Sequence, residues 1–183
     1  MNIISTDFEG LFILEPTVIQ DHRGFFMESY NAKKLSDKGI IYTFIQDNQS
    51  QSSHGVLRGL HFQNPPHAQT KLVRAVSGTI LDVVVDIRKS SSTYGLHFAI
   101  ELSAANKKQL LVPKGFAHGF SVLSETAEIL YKCDNYYNKE SEDGLMYNDA
   151  SFNINWGVPV DQLLLSDKDQ LYRPFSEFNS KFS

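Results

Sequence analysis

Apolar and polar positions alternate with period two over much of this chain. The plainest case is Leu81, Val83, Val85 and Ile87 on one face of a strand, with Asp82, Val84 and Asp86 on the other. Comparable short runs predict strands over Leu11–Leu14, Phe25–Tyr30, Thr43–Asn48, Val56–Phe62, Lys71–Ser77, Thr79–Ile87, Phe98–Leu102, Gln109–Val112, Ala117–Leu123 and Ala127–Asp134, separated by clusters of Gly, Pro, Ser and Asn. Helical spacing is scarce: Ala32–Lys38 predicts one short helix and Asp161–Leu165 a further turn. Many short strands without helices between them imply an all-β sandwich, barrel or jelly roll. Beyond about residue 134, Asn135-Tyr136-Tyr137-Asn138 and Trp156-Gly157-Val158-Pro159 mix aromatic with turn residues. That stretch is expected to wrap the β core and not to form a second domain.

With 183 residues, 42% of them hydrophobic, the chain can bury a sizeable core, and a single domain over residues 1–183 is expected. Cys133 is the only cysteine, so no disulfide can form within the chain. The start, Met1-Asn2-Ile3-Ile4-Ser5-Thr6-Asp7, carries neither a basic region nor a long apolar run, which suggests a soluble cytoplasmic protein without signal peptide or membrane span. A net charge of -4 argues against a general nucleic-acid binder, which needs a basic face to meet successive phosphates. Any phosphate site is therefore local. Arg23, Arg58, Lys71, Arg74 and Lys114 stand in apolar or Gly-containing settings that suit one, whereas Lys33-Lys34 and Lys107-Lys108 read as solvated charge.

The densest chemistry lies in Gly55-Val56-Leu57-Arg58-Gly59-Leu60-His61 and Lys71-Leu72-Val73-Arg74, which place a base and three cations on two neighbouring strands. Cations among apolar strand residues are costly to leave unpaired, so such a cluster suits a charged ligand. An imidazole with a reference pKa near 6.5 beside them suits an anionic substrate whose carbon loses a proton. Strict alternation sends Arg58 and His61 to opposite faces, and likewise Lys71 and Arg74. A bulge at Gly59 would reset the phase of the first strand, and without one Arg58 reaches the site around a strand end; nothing comparable is available for Arg74, whose role is secondary.

A second motif, Pro113-Lys114-Gly115-Phe116-Ala117-His118-Gly119-Phe120, makes a tight turn before a strand and resembles the second cupin motif. In metal-binding cupins a histidine at this point joins two histidines and a glutamate from an earlier motif, because a divalent ion needs several converging ligands. The earlier His-x-His is absent here. His61 and His67 are separated by Pro65-Pro66 and do not form a ligand pair by alternation, so no metal or other cofactor is expected. His118 reads instead as a hydrogen-bonding or substrate-contacting group.

Taken in order, Asp21-His22-Arg23-Gly24-Phe25-Phe26-Met27-Glu28-Ser29, Gln46-Asp47-Asn48, Val56-Leu57-Arg58-Gly59-Leu60-His61, Lys71-Leu72-Val73-Arg74, Asp86-Ile87-Arg88, Pro113 to Phe120 and Leu165-Ser166-Asp167-Lys168-Asp169 resemble the dTDP-4-dehydrorhamnose 3,5-epimerase family over nearly the whole chain. The resemblance implies a cupin-like jelly roll, a homodimer without cofactor, and inversion of C3 and C5 in a dTDP-4-keto-6-deoxy sugar. It implies His61 as base with Asp169 orienting it, although Asp167 lies two residues away, Lys71 stabilising the O4 enolate, and Tyr131 as acid on the opposite face. Tyr131 shares its phase with Ile129 and Cys133, which suggests that it points into the barrel. The family pattern further assigns Arg58 to phosphate or sugar oxygen, and Arg23, Phe25 and Glu28 to diphosphate and base contacts across a dimer. Gln46 and Asn48 are expected nearby, Tyr137 stacks on thymine, and Glu142 matches an acidic position.

Tyr147 stands where the family usually has tryptophan, and Phe62 and Phe152 replace commoner residues; these departures bear on substrate preference. Related enzymes that epimerise C3 alone or serve other deoxysugar pathways, and a non-catalytic nucleotide-sugar-binding cupin, are the alternatives. The last would not need His61, Lys71 and Tyr131 together.

Overall fold

The computed structural model describes residues 1–183. Its strands are β1 (Asn2–Ser5), β2 (Phe12–Glu15), β3 (Val18–Asp21), β4 (Gly24–Met27), β5 (Gln46–Ser53), β6 (Leu57–Gln63), β7 (Lys71–Ser77), β8 (Thr79–Asp86), β9 (His97–Ser103), β10 (Gln109–Val112), β11 (Phe116–Val122), β12 (Thr126–Cys133) and β13 (Glu142–Gly144). One helix, α1 (Ala32–Ser36), is capped by the Asn31 side chain accepting from the Lys34 amide. A six-stranded sheet runs β1-β2-β10-β7-β12-β5 and a five-stranded sheet β13-β6-β11-β8-β9, while β3 and β4 form a separate hairpin. All the ladders within these strands are antiparallel. The all-β architecture expected from the alternation, and the cupin-like jelly roll implied by the resemblance, are what is observed.

Alternation also explains the layers. From β8, Ile80 and Val84 enter a core between the two large sheets, with Val73, Ala75, Ile129, Phe116 and Phe120. Leu81, Val83, Val85 and Ile87 enter a second core on the outer face of the five-stranded sheet. That outer face is covered by Leu145, Phe152, Trp156, Phe175, Phe178 and Phe182, so the segment beyond β13 does wrap the barrel. A third cluster, Leu14, Leu35, Ile40, Leu72 and Leu111, seats α1 on the outer face of the six-stranded sheet. Burying apolar area at about 25 cal/mol per Å² makes these faces the main support of the fold.

Several boundaries differ from expectation. The strand predicted over Phe25–Tyr30 is the hairpin partner Gly24–Met27, and the strand predicted over Thr43–Asn48 begins only at Gln46. Tyr42 and Phe44 are drawn instead against the third cluster. β1, β3 and β13 were unforeseen, being three or four residues long and at sheet margins or in the hairpin. The helix ends at Ser36, and the turn expected over Asp161–Leu165 is a 3₁₀ turn at Val160–Gln162.

Candidate functional site

A cavity of about 310 Å³ opens between the two large sheets, lined by Gln46, Asn48, His61, Phe62, Gln63, Gln69, Lys71, Tyr131, Tyr137 and Glu142. Strand register determines who meets there. In the six-stranded sheet Cys133 pairs with both Lys71 and Gln46, and Tyr131 with both Val73 and Asn48, which sets Lys71 and Tyr131 one row apart. Lys71 Nζ lies 5.8 Å from the centre of the Tyr131 ring. The facing sheet contributes His61, opposite His118 on β11 and Gly144 on β13.

The phase conflict on β6 is resolved by a bulge. His118 pairs with His61 and Phe120 with Arg58, so three steps on β6 answer two on β11. Leu57 and Leu60 consequently both pack into the outer core, which puts Arg58 and His61 on the same opposite side of β6; His61 lines the cavity, whereas Arg58 is exposed and does not line it. Gly59 sits inside the bulge with φ of 140°, and a Cβ there would fall 2.5 Å from the Gly119 Cα. Only glycine fits so close a backbone approach. Arg58 Nε donates to Ser52 Oγ at 3.2 Å. No bulge resets Arg74: it lines a separate depression on the other face with Phe25, Phe26 and Met27, away from Lys71.

The His61 Nε2 and Asp169 Oδ1 atoms are 2.5 Å apart, and Asp169 is only 3% exposed. Asp167 is exposed, so the choice between the two acids falls to Asp169. The carboxylate on Nε2 holds the neutral ring as its Nε2–H tautomer and leaves the Nδ1 lone pair available. Burial lowers the Lys71 pKa, opposed by the nearby Cys133, Asp82 and Glu142. Burial also raises the Tyr131 phenol, reinforced by Cys133, while the Arg58 charge pulls the other way. A half-buried lysine amine and a protonated phenol thus share one wall, facing an imidazole on the other.

At the mouth, Tyr137 donates its hydroxyl proton to Glu142 Oε2 at 2.8 Å, and Lys168 Nζ lies 2.5 Å from the same oxygen. Burial alone would raise the Glu142 pKa, but the bonds from Lys168 and Tyr137 outweigh it and hold the carboxyl below its usual range. Gln46 accepts from the Tyr137 amide and donates to Asn48 Oδ1, and Asn48 in turn donates to Cys133 Sγ at 3.7 Å. Gln63 holds the rim loop through the Asn138 amide and the His67 and Tyr136 carbonyls.

Some expected members stand apart. His118 does not line the cavity; its Nε2 lies 3.0 Å from both oxygens of Asp82, a residue with no exposed surface. Arg23, Phe25 and Glu28 lie on or beside the β3–β4 hairpin and none lines the cavity of its own chain. Arg23 is bonded to Asp21, which lowers the Asp21 pKa, and Glu28 pairs with Lys34. Lys168 and Asp82 were missed as site residues. Lys168 stood between the two acids of a motif already singled out, whereas Asp82 read simply as the polar phase of β8. Nowhere do three His, Cys, Asp or Glu side chains converge as a metal site.

Comparison with known proteins extends this geometry. The sequence matches the family model of dTDP-4-dehydrorhamnose 3,5-epimerase over residues 5–177. It is 54% identical over 170 residues to the dTDP-4-dehydrorhamnose 3,5-epimerase of Shigella flexneri, covering 92% of this chain and 93% of the relative. The crystal structure of dTDP-4-dehydrorhamnose 3,5-epimerase from Elizabethkingia anophelis NUHP1 superposes with a TM-score of 0.94 at 50% identity, covering 98% of each chain. A dTDP-6-deoxy-D-glucose-3,5-epimerase from Legionella pneumophila Philadelphia 1, solved in complex with dTDP-4-keto-L-rhamnose, gives 0.92 at 45% identity over 97% of this chain and 94% of its own. The chain therefore belongs to the dTDP-4-dehydrorhamnose 3,5-epimerase family.

Proposed function

We propose that this chain inverts C3 and C5 of dTDP-4-dehydro-6-deoxy-D-glucose to give dTDP-4-dehydro-L-rhamnose, using only its own side chains. The supporting observation is the opposition of His61, on one sheet, to Tyr131 and Lys71 on the other, around a single cavity. Both reacting carbons flank the C4 carbonyl. His61, held by Asp169, takes the proton from carbon; electrons move into the carbonyl and leave an enolate on O4. The Lys71 ammonium stabilises that oxygen, a type of contribution worth a few kcal/mol, on the order of 3. Tyr131 then delivers a proton to the opposite face, and the configuration is inverted. The raised Tyr131 pKa keeps that proton on the phenol at neutral pH.

The nucleotide is read by the rim in this proposal: Tyr137 stacks on the base, Gln46, Asn48 and Glu142 line its approach, and Arg58 meets phosphate or sugar oxygen. His118, bonded to Asp82 and paired across the strands with His61, supports the wall that carries the base and does not meet the sugar itself. Arg23, Phe25 and Glu28 serve a partner's cavity, which makes the enzyme a homodimer. Exposure of Ile19, Phe25 and Phe26 at 64%, 55% and 66% on one hairpin supports a covering partner. The unit is one jelly-roll domain over residues 1–183. A cytoplasmic location accords with the free thiol of Cys133. No helix is long and apolar enough to cross a membrane.

The test is incubation with dTDP-4-keto-6-deoxyglucose in deuterium oxide plus chelator, following label by NMR. Label at both C3 and C5 is expected. Label at C3 alone would reduce the reaction to a mono-epimerisation, and loss of all exchange on chelation, restored by metal, would overturn the metal-free mechanism.

A further inference from the structure

The short segment that brings Asp169 to His61 brings a second group to the same imidazole. Three residues further on, just past the 3₁₀ turn Asp169–Leu171, the Tyr172 ring meets the His61 ring edge to face, with centroids 5.6 Å apart and planes at 63°. The same ring rests directly over Gly144, the β13 residue paired with His61. A Cβ on Gly144 would fall 2.5–2.6 Å from three ring carbons of Tyr172. Gly144 is not in the left-handed region, so its backbone does not demand glycine. The ring above it does. Tyr172 also lies beside Lys168, whose Nζ is 6.0 Å from the ring centre, and the Tyr172 hydroxyl is buried.

A hydrogen bond at one atom fixes the distance of an imidazole but leaves the ring able to swing about that contact. A flat group packed against the ring removes the remaining freedom. We infer that Tyr172 is a positioning residue for His61, clamping the ring that Asp169 tethers, and that Gly144 is the seat that lets it do so. This rests on His61 being the base. A second contact of this kind matters because displacing a reacting group by about 1 Å can cost ~100-fold in rate.

Four variants test it, alongside His61→Ala: Tyr172→Ala, Tyr172→Phe, Gly144→Ala and the double Tyr172→Ala/Gly144→Ala, each with kcat, KM, deuterium exchange and Tm. Tyr172→Ala is expected to lower kcat by roughly 10- to 100-fold with KM within about twofold, since positioning and not substrate affinity is lost. Tyr172→Phe keeps the ring and is expected to retain kcat within about threefold. Gly144→Ala pushes the ring aside and should lower kcat, yet add nothing in the Tyr172→Ala background, the coupling expected of two residues acting through one contact. If Tyr172→Ala does not fold, Tyr172→Leu, which keeps apolar volume without the flat ring, carries the same expectation. Wild-type kcat in Tyr172→Ala or Tyr172→Leu, or additive losses in the double variant, would overturn the inference. Full activity in His61→Ala would instead overturn the base assignment beneath it, so the two failures are separable.

Discussion

His61 and Asp169 stand 108 residues apart in the chain and 2.5 Å apart in the fold, with the carboxylate almost wholly withdrawn from solvent. On the proposed mechanism, so buried an acid fixes the tautomer of the ring and stabilises the imidazolium once a proton has been taken. Asp169→Asn is accordingly expected to lower kcat by about 100-fold or more with little change in KM. Steady-state kinetics decide it, and a variant within about threefold of wild type would show that the pair is structural.

Tyr131 and His61 reach the cavity from different sheets, so removing one need not silence the other. In Tyr131→Phe, carbon should still lose its proton to His61 and take up solvent deuterium, while net inversion falls by about 100-fold. NMR of the recovered sugar separates the two events. Unchanged turnover would remove Tyr131 from the mechanism.

Burial moves two neighbouring groups in opposite directions: the Lys71 ammonium falls below its ordinary 10.5 and the Tyr131 phenol rises above its ordinary 10.0. As pH increases, Lys71 therefore discharges early and Tyr131 late. The falling alkaline limb of kcat is expected below 10.5, and it should persist in deuterium exchange by Tyr131→Phe. A limb that vanishes in that variant would assign it to the phenol. For stability the sign is that of any depressed pKa, the paired carboxylate included. The unfolded chain holds the Lys71 proton more tightly, so stability rises as pH climbs through the folded pKa towards 10.5. Lys71→Met is expected to be inactive and to melt higher than wild type at pH 7, measured by calorimetry.

Asp86, with no exposed surface, gathers the Arg88 guanidinium and amide with the Ser91 and Thr93 hydroxyls. Burial alone would raise its pKa, but those bonds outweigh it and hold the carboxyl below 3.8. Its stabilising contribution is present above that value and is lost as pH falls through the depressed folded pKa. Asp86→Ala strands Arg88 and is expected to cost about 3–5 kcal/mol in urea unfolding at neutral pH. A cost under about 1 kcal/mol would mean that water replaces the carboxylate.

The β core was legible because burial of opposite strand faces writes itself into period two: Leu81, Val83, Val85 and Ile87 predicted their face before any coordinates did. Gly59 was legible as a bulge because Arg58 and His61 could not otherwise share a side, and the β6–β11 register shows that bulge. Asp169 could not be separated from Asp167 by sequence, since a turn has no period and only packing buries one of the two. Tyr172 and Lys168 were hidden for the same reason: their contacts with His61 and Glu142 depend on how an irregular segment is laid across β13. Asp82 was the opposite case, fully periodic, yet its bond to His118 is a cross-strand relationship that one strand cannot reveal.

Every strand of the molecule precedes residue 145, while the acid that tethers His61 comes after it. In the order of synthesis, then, every ladder can pair before Asp169 and the aromatic cover of the five-stranded sheet have been made, and on the proposed mechanism that later stretch both closes the outer core and brings His61 its carboxylate. A single proteolytic cut between Gly144 and Lys168 would likewise leave the chain of every ladder whole, while loosening at once the cover of the outer core and the tether that keeps Asp169 at hand.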